Sequence, residues 1–89
     1  MTRGAVMCVA ESTDRPGPPR VGVSVTRKQG GAVVRNRAKR RLREAARRHL
    51  AAISPGTDLV LVARGDCARR SWQELEEDVV AAMAGATTR

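Results

Sequence analysis

Aromatic side chains are almost absent from this 89-residue sequence, which contains one Trp and neither Phe nor Tyr. Binding of single strands by a row of stacked aromatics is therefore excluded, because such sites place successive bases on aromatic rings. The apolar residues are mainly Val, Ala and Leu, which can fill the core of a small domain. We expect residues 1–89 to form one domain.

Cysteine and histidine are also scarce, with two Cys and one His in the chain. Cys8 and Cys67 have no second Cys or His at the spacing of a zinc site, so we predict two thiols rather than a metal site or a disulfide. His49 lies on the apolar side of a predicted helix and is interpreted as a packing residue. No apolar run approaches the roughly 18 residues of a membrane span, and no secretory signal pattern is evident, which favours a cytoplasmic protein.

Acidic residues are outnumbered, since nine Asp and Glu stand against seventeen Lys and Arg and leave a formal net charge of +8. Asp14, Glu44, Asp58 and Asp66 are scattered, so the paired carboxylates of a metal-dependent nuclease are not evident. We predict no catalytic residue and no metal ligand in this chain. The charge instead indicates a polyanionic partner, which could be nucleic acid, an acidic membrane surface or an acidic protein.

Two strands are predicted ahead of the first helix. Residues 4–11 are short and apolar with polar flanks, as in a strand. Residues 12–19 contain three prolines and one glycine, which predict a hairpin-type loop. Residues 20–26 alternate strictly, with valine at every second position and with Gly22 and Ser24 between. The valine face should be buried in the core. The face with Gly22 and Ser24 has little side-chain cover, so another element or a ligand can approach the backbone there.

A helix is predicted over residues 34–50, where apolar residues recur at three- and four-residue spacings. Its core-facing side chains are expected to be Val34, Ala38, Leu42 and Ala45. Residues 57–63 form a near-continuous apolar run, typical of a central strand covered on both sides.

A second helix is predicted over residues 72–84. Ser71 and Glu74 form a capping-box pattern at its start, and Gly85 is a natural end. Trp72 should anchor this helix to the sheet, and residues 85–89 should fray.

Eight of the seventeen basic residues lie between positions 35 and 48, where Glu44 is the only acid. At 100° per residue, one edge of the apolar stripe carries a basic row that consists of Arg35, Lys39, Arg43 and Arg47. Like charges four residues apart oppose each other by about 0.2–0.5 kcal/mol per pair, and cations in the first turns oppose the helix dipole. A bound anion would turn both unfavourable interactions into favourable ones. A guanidinium group binds phosphate well because it offers two parallel donors to two oxygens. The basic row therefore predicts phosphate binding.

Other functions remain open on the charge pattern alone. A structural ribosomal protein or a general RNA-binding protein would use the same helix as a phosphate clamp. A small nuclease is disfavoured because no nucleophile, base or metal cluster is evident. A membrane-surface helix is disfavoured because Ala38, Ala45 and Ala46 are too small for an inserted apolar face.

Residues 28–44, with the sequence KQGGAVVRNRAKRRLRE, closely resemble the arginine-rich signature of the bacterial ribonuclease P protein subunit. Residues 18–25, with the sequence PPRVGVSV, and the strand ending in Ala63 and Arg64 resemble the same family. The resemblance covers about residues 4–83, and Arg35-Asn36-Arg37 is its most specific part.

For the fold, the resemblance implies an α/β (α+β) two-layer sandwich with a small mixed sheet and the order β-β-α-β-α. The strands at residues 20–26 and 57–63 would be parallel and joined by a left-handed crossover, although about 98% of such connections are right-handed. Family members usually begin with a helix and a short strand, so this chain is expected to be a short form without the N-terminal helix.

For function, the resemblance implies a subunit that assists a catalytic RNA in removing the 5′ leader of precursor tRNA. The chemistry would belong to the RNA and to Mg²⁺ at the RNA active site, so no cofactor is expected on the protein. The expected partners are the ribonuclease P catalytic RNA and precursor tRNA, with no membrane and no protein partner. In the family, a groove between the sheet and an N-terminal helix holds the single-stranded leader of the precursor. The residues expected to face RNA are Arg35, Asn36, Arg37, Lys39, Arg40, Arg43 and Arg47, with Arg27 and Lys28 as further phosphate contacts.

RNA binding by this helix should depend strongly on salt. If about four cations neutralise phosphates, the logarithm of the association constant should fall with the logarithm of salt concentration with a slope of about −3 to −4. Affinity should then drop roughly a hundredfold between 50 and 200 mM salt, measured by filter binding. A slope near zero would contradict phosphate binding by the basic row.

Overall fold

A computed structural model describes residues 2–87. Within that range the strands are β1 (Thr2–Arg3), β2 (Val6–Ser12), β3 (Arg20–Ser24) and β4 (Thr57–Ala63), and the α-helices are α1 (Ala32–Arg48) and α2 (Trp72–Thr87). Short 3-10 helices lie at Arg27–Gln29, Leu50–Ala52 and Cys67–Arg69. The predicted order β-β-α-β-α is confirmed, and the two-residue strand β1, which no sequence pattern indicated, precedes it.

The sheet is mixed and has the strand order β1-β2-β4-β3. β4 pairs antiparallel with β2, with Cys8 opposite Leu61, and parallel with β3, with Val23 opposite the same Leu61. Residues 57–63 therefore form a central strand, as predicted. The parallel strands β3 and β4 are connected through α1, as the resemblance implies, and the left hand of that crossover stays a prediction.

Residues 12–19 do not form a hairpin loop. The prediction is wrong because β4 lies between β2 and β3 in the sheet. The loop is held at the start of β4 instead, where the Thr13 amide donates to the Gly56 carbonyl at 2.9 Å. Arg20 and Arg15 also hydrogen-bond the Asp58 carboxylate, and these bonds lower the pKa of Asp58.

Both helices cover the same face of the sheet. Alternate strand residues on that face join one core with side chains of α1 and α2. Four of them are at most 1% exposed: Val6, Cys8, Leu59 and Leu61. The opposite face carries Val9 and Val60, which are 52% and 43% exposed. The expectation that β4 is covered on both sides is therefore wrong for the described part of the chain, because α1 and α2 lie on one side only.

The buried stripe of α1 consists mainly of small residues. Ala38, Leu42, Ala45 and Ala46 are each at most 3% exposed, which confirms the core face predicted for the later turns. Val34 does not belong to it, because its side chain lies in the first turn at the rim of a surface groove, and it is 41% exposed. The α-helix ends at Arg48, and a separate 3-10 turn covers Leu50–Ala52.

Helix α2 begins with the predicted capping box. The Glu74 amide donates to Ser71 Oγ at 3.2 Å, and the Ser71 amide donates to Glu74 Oε1 at 3.0 Å. Hydrogen bonds from the Ser71 amide and hydroxyl to the Glu74 carboxylate lower the pKa of Glu74. Trp72 packs against the core, which confirms its predicted anchoring role.

The predicted end of α2 at Gly85 is wrong. Gly85 does not adopt the positive φ that terminates many helices, and the helix continues to Thr87. The Thr87 hydroxyl donates to the Met83 carbonyl at 2.9 Å, which supports the last turn. Residues 88 and 89, predicted to fray, lie outside the described residues.

Cys8 and Cys67 are both buried and no disulfide joins them, which confirms the prediction of two thiols. Burial raises the pKa of each thiol. Within residues 2–87, no three His, Cys, Asp or Glu side chains are grouped so that they could hold a metal ion. Neither described α-helix combines the length and apolar character needed to cross a membrane.

Asp78 of α2 connects the N-terminal turn to the rest of the protein. Its Oδ2 accepts a hydrogen bond from the Ala5 amide at 3.2 Å and lies 3.2 Å from Arg70 Nη2, and its side chain is only 16% exposed. The carboxylate fits there because Gly4, at φ 53°, has no Cβ, which would otherwise lie 2.3 Å from Asp78 Oδ1.

Replacing Asp78 by Ala should destabilise the fold by about 1–3 kcal/mol, because the Ala5 amide and the Arg70 guanidinium lose a largely buried partner. Urea unfolding followed by circular dichroism measures this loss. Glu77→Ala, one residue away on the exposed side of α2, is the matched control and should stay within about 0.5 kcal/mol. Equal effects of the two substitutions would contradict the assigned role of Asp78.

Candidate nucleic-acid interface

The first turn of α1 is strongly positive. It begins after Gly31, which offers no capping side chain, and contains no acidic residue. The preceding Gly30 has φ 138°, and a Cβ there would lie 3.0 Å from Val34 Cβ. The approach to the helix therefore requires glycine, and the positive end of the helix dipole is left without a side-chain acceptor.

The first three members of the basic row carry uncompensated charge. Arg35, Lys39 and Arg43 form no ion pair with any residue in the described part of the chain. Nε of Arg35 is buried and has no hydrogen-bond partner there. Asn36 and Arg40, the neighbouring predicted contacts, are exposed on the outer side of the helix. These five side chains therefore present a positive surface with several free donors.

The C-terminal half of α1 is different because Glu44 neutralises part of it. Glu44 pairs with Arg47, and its Oε1 lies 3.6 Å from Nε of Arg48. Arg48 also approaches Glu76 and lies over the ring of Trp72 at 5.2 Å from its centroid. Arg47, predicted to face RNA, is thus the one member of the basic row with an acidic partner among the described residues.

His49 is not simply a packing residue. It is only half-buried, and its Nε2 lies 3.2 Å from Glu76 Oε2, which contradicts the sequence interpretation. The sequence interpretation is wrong because α2 places Glu76 against the end of α1, where its carboxylate contacts the His49 ring. His49 links the two helices at the surface.

Arg37 lies on the other flank of α1. Two residues correspond to about 200° of rotation, so Arg37 and Lys39 point to opposite sides of the helix. Arg37 lines a groove of about 370 Å³ between α1 and the 3-10 helix Cys67–Arg69, which we call the Arg69 groove. The predicted contacts therefore occupy two flanks and an outer crest rather than one row.

Sequence reasoning missed the Arg69 groove. The available signal was the excess of arginine in the connection between β4 and α2, where Arg64, Arg69 and Arg70 lie close together in the sequence. Their relation to α1 depends on chain reversal after β4, which the sequence pattern did not specify. In the structure, the Arg41 guanidinium donates to the Arg70 carbonyl and closes one wall of the groove.

Arg27 and Lys28 lie exposed on the 3-10 helix that follows β3. This turn is anchored by Gln29, whose Nε2 donates to the Gly65 carbonyl at 3.0 Å and whose Oε1 accepts from the Ala68 amide at 3.3 Å. Lys28 lines a small cleft together with Arg69. The structure therefore brings Lys28 toward the Arg69 groove.

The open face of the sheet is apolar toward the end of β4 and carries Glu11 and Asp58 near its start. Met7, Val9, Val60 and Val62 lie on it, and Gly22 and Ser24 of β3 are exposed beside them, as the strand pattern predicted. A cleft of about 510 Å³ follows at the end of β4, and Val62, Lys28 and Arg64 line it. An extended ligand on the sheet would thus meet cations at this end.

The protein has a mixed sheet with two helices on one face, and within residues 2–87 the cations in the N-terminal half of α1 lack acidic partners. These features define a small α+β protein of the kind that binds polyanions. A sequence model of the Ribonuclease P family matches residues 1–87, and the chain belongs to that family.

Curated relatives and solved structures agree with this assignment. The ribonuclease P protein component of Caulobacter vibrioides (strain NA1000 / CB15N) is 48% identical over 85 residues, which cover 93% of this chain and 57% of the relative. That of Beutenbergia cavernae is 47% identical over 70 residues, which cover 79% of this chain and 59% of the relative. The chain therefore spans less than two thirds of the length of these relatives.

Two solved structures have the same fold. The RNase P protein from Thermotoga maritima in complex with 1-(4-fluorophenyl)-2-thiourea superposes with a TM-score of 0.84 at 24% identity, over 100% of this chain and 84% of that one. The Staphylococcus aureus RNase P protein gives a TM-score of 0.80 at 23% identity, over 93% of this chain and 75% of that one.

The uncompensated part of the basic row should dominate RNA affinity. We expect Lys39→Gln with Arg43→Gln to make the salt slope for RNA binding shallower by about 2, because two phosphate contacts are lost. Gln retains much of each side-chain stem and removes its charge. Fluorescence anisotropy at several salt concentrations measures the effect.

The matched control is Arg20→Gln with Arg48→Gln, which removes two cations that already pair with Asp58, Glu44 and Glu76. It should change the slope much less, although the net charge falls equally. If both double variants shift the slope by the same amount, binding depends on total charge and the interface assigned to α1 is wrong.

Proposed function

We propose that this chain acts as the protein subunit of ribonuclease P and binds the catalytic RNA through α1. In this function it assists the RNA in removing the 5′ leader of precursor tRNA, and the RNA with its Mg²⁺ ions carries out the hydrolysis. Membership in the ribonuclease P family and the likeness to the named protein components support the proposal. The cytoplasm, where precursor tRNA is available in bacteria, is the proposed location.

The observation that carries the proposal is the lack of acidic partners for Arg35, Lys39 and Arg43 among the described residues. Exposed cations usually alternate with acids on a helix that only faces solvent, because like charges at four-residue spacing repel. Within residues 2–87, the acid of α1, Glu44, forms ion pairs only with Arg47 and Arg48. The remaining charge is stabilised best by phosphate groups, which accept paired hydrogen bonds from guanidinium.

The open sheet face is the proposed site for the single-stranded leader. Exposed Val9 and Val60 offer apolar contact to bases. The small, exposed β3 residues Gly22 and Ser24 let an RNA strand approach the protein backbone. Lys28 and Arg64 at the end of the face would hold phosphates. Because aromatic rings are absent from this face, base contacts there should be weaker than the stacking of about 1–3 kcal/mol per base found in other single-strand sites.

Reconstitution with a bacterial ribonuclease P RNA tests the proposal. At low Mg²⁺ the protein should stimulate cleavage of a precursor tRNA, since its cations reduce repulsion between the two RNAs. The Lys39→Gln, Arg43→Gln variant should lose most of the stimulation, while the Arg20→Gln, Arg48→Gln control should keep it. Precursors with leaders of about one and about eight nucleotides should differ in KM if the sheet face binds the leader.

The alternative outcomes are distinct. RNA binding without any stimulation of cleavage would indicate a structural or general RNA-binding protein and would overturn the proposal. Cleavage by the protein alone would indicate a nuclease. Equal stimulation with short and long leaders would show that the sheet face does not bind the leader. The proposed binding of the catalytic RNA by α1 would still stand.

A further inference from the structure

The Arg69 groove lies on the flank of α1 that faces away from the basic row. Its lining includes Gln29, Val33, Arg37, Arg41, Ala68 and Arg69. The exposed cations Arg37 and Arg69 form no ion pair with any residue among 2–87. Three arginines thus share one concave surface in which no lining residue is acidic.

Hydrogen bonds hold the walls of the groove in place. Gln29 bridges its floor to Gly65 and to the Ala68 amide. On the opposite wall, Arg41 donates to the Arg70 carbonyl. Arg69 lies in the turn between these anchors, and its own amide donates to the Asp66 carbonyl at 2.8 Å. The cations are therefore presented from a fixed backbone, which reduces the entropy lost on binding.

The acidic residue nearest to Arg69 in the sequence is Asp66. Asp66 lines the adjoining cleft near Lys28 and lies 3.6 Å from Nε of Arg70. The Asp66 carboxylate therefore pairs with Arg70, which does not line the Arg69 groove. Arg37 and Arg69 remain without compensation.

The groove is continuous with the interface assigned to α1. Asn36 and Arg40 lie on the outer crest of the helix, between the basic row and Arg37. Residues 32–43 contain no acid, so an anionic chain can cross this half of α1 without meeting a carboxylate on the helix. Val33, which is 84% exposed, lies at the rim of the groove and offers apolar contact to a ribose or a base.

We propose that the Arg69 groove binds a second segment of RNA phosphodiester backbone, with Arg69 as a phosphate-contacting residue. RNA would then contact α1 on both flanks. This inference rests on the proposed function of the chain as an RNA-binding subunit. RNA is favoured over an acidic protein because three guanidinium groups match a series of phosphates, each of which accepts paired hydrogen bonds from a guanidinium fork.

The test compares Arg69→Gln with Arg20→Gln, since each removes one charge from an exposed arginine. Arg20 does not line the Arg69 groove, because it lies at the start of β3 and pairs with Asp58. Arg69→Gln should weaken binding of the ribonuclease P RNA about five- to tenfold and make the salt slope shallower by about 1. Arg20→Gln should change neither. Thermal melting of both variants ensures that the comparison is between folded proteins.

Hydroxyl-radical footprinting of the RNA separates the two flanks. With Arg69→Gln, protection should be lost at a segment different from the one lost with Lys39→Gln and Arg43→Gln. Unchanged RNA affinity in Arg69→Gln, or loss of the same segment in both variants, would overturn the inference while the proposed function stands. If the unaltered protein fails to bind the catalytic RNA, the proposed function itself fails.

An acidic protein partner is the remaining outcome. Polyglutamate serves as the probe and is titrated against the unaltered protein and Arg69→Gln. If Arg69→Gln loses affinity for polyglutamate and keeps its affinity for RNA, the groove binds acidic protein and the inference is wrong. Loss of RNA affinity with little change for polyglutamate would support it.

Discussion

The burial of one face of α1 is the constraint on which the rest of the structure depends. Ala38, Leu42, Ala45 and Ala46 are inaccessible between the sheet and α2, and this burial holds the helix together although its exposed side is crowded with cations. Hydrophobic burial contributes about 25 cal/mol per Å² and offsets repulsions of a few tenths of a kcal/mol per charge pair. A helix with the same charges and no buried stripe would be marginal in water.

The position of α1 follows from the sheet. Because β3 and β4 are parallel neighbours, the chain must return across the sheet between them, and α1 is that return. The turn before the helix and the connection after β4 are consequently brought together, and Gln29 links them by hydrogen bonds to Gly65 and Ala68. This junction places cations from three parts of the sequence around one end of α1, which is why the positive surface extends beyond a single helical row.

Acidic residues are distributed so that they stabilise the fold and leave the N-terminal half of α1 uncovered. Asp58 holds the loop before β3, Asp78 holds the N-terminal turn, and Glu44 and Glu76 lie at the far end of α1. Each of these carboxylates has at least one cationic or amide partner. The net charge of +8 is therefore concentrated where partners are missing rather than spread evenly over the surface.

Local patterns in the sequence determined the elements of this protein, and tertiary structure alone decided how they combine. The apolar period of α1, the continuous run of β4 and the capping box of α2 depend on contacts within a few residues, so each could be predicted, and the arginine-rich segment is specific enough to indicate the family. Nothing in the loop after β2 shows that β4 will insert between β2 and β3. The exposure of Val34 and the pairing of His49 with Glu76 depend on neighbours that are distant in sequence, as does the groove that Ala68 and Arg69 form beside Arg37. Long-range packing selects those neighbours, because a periodic pattern specifies which face of a helix is apolar without specifying what lies beside it.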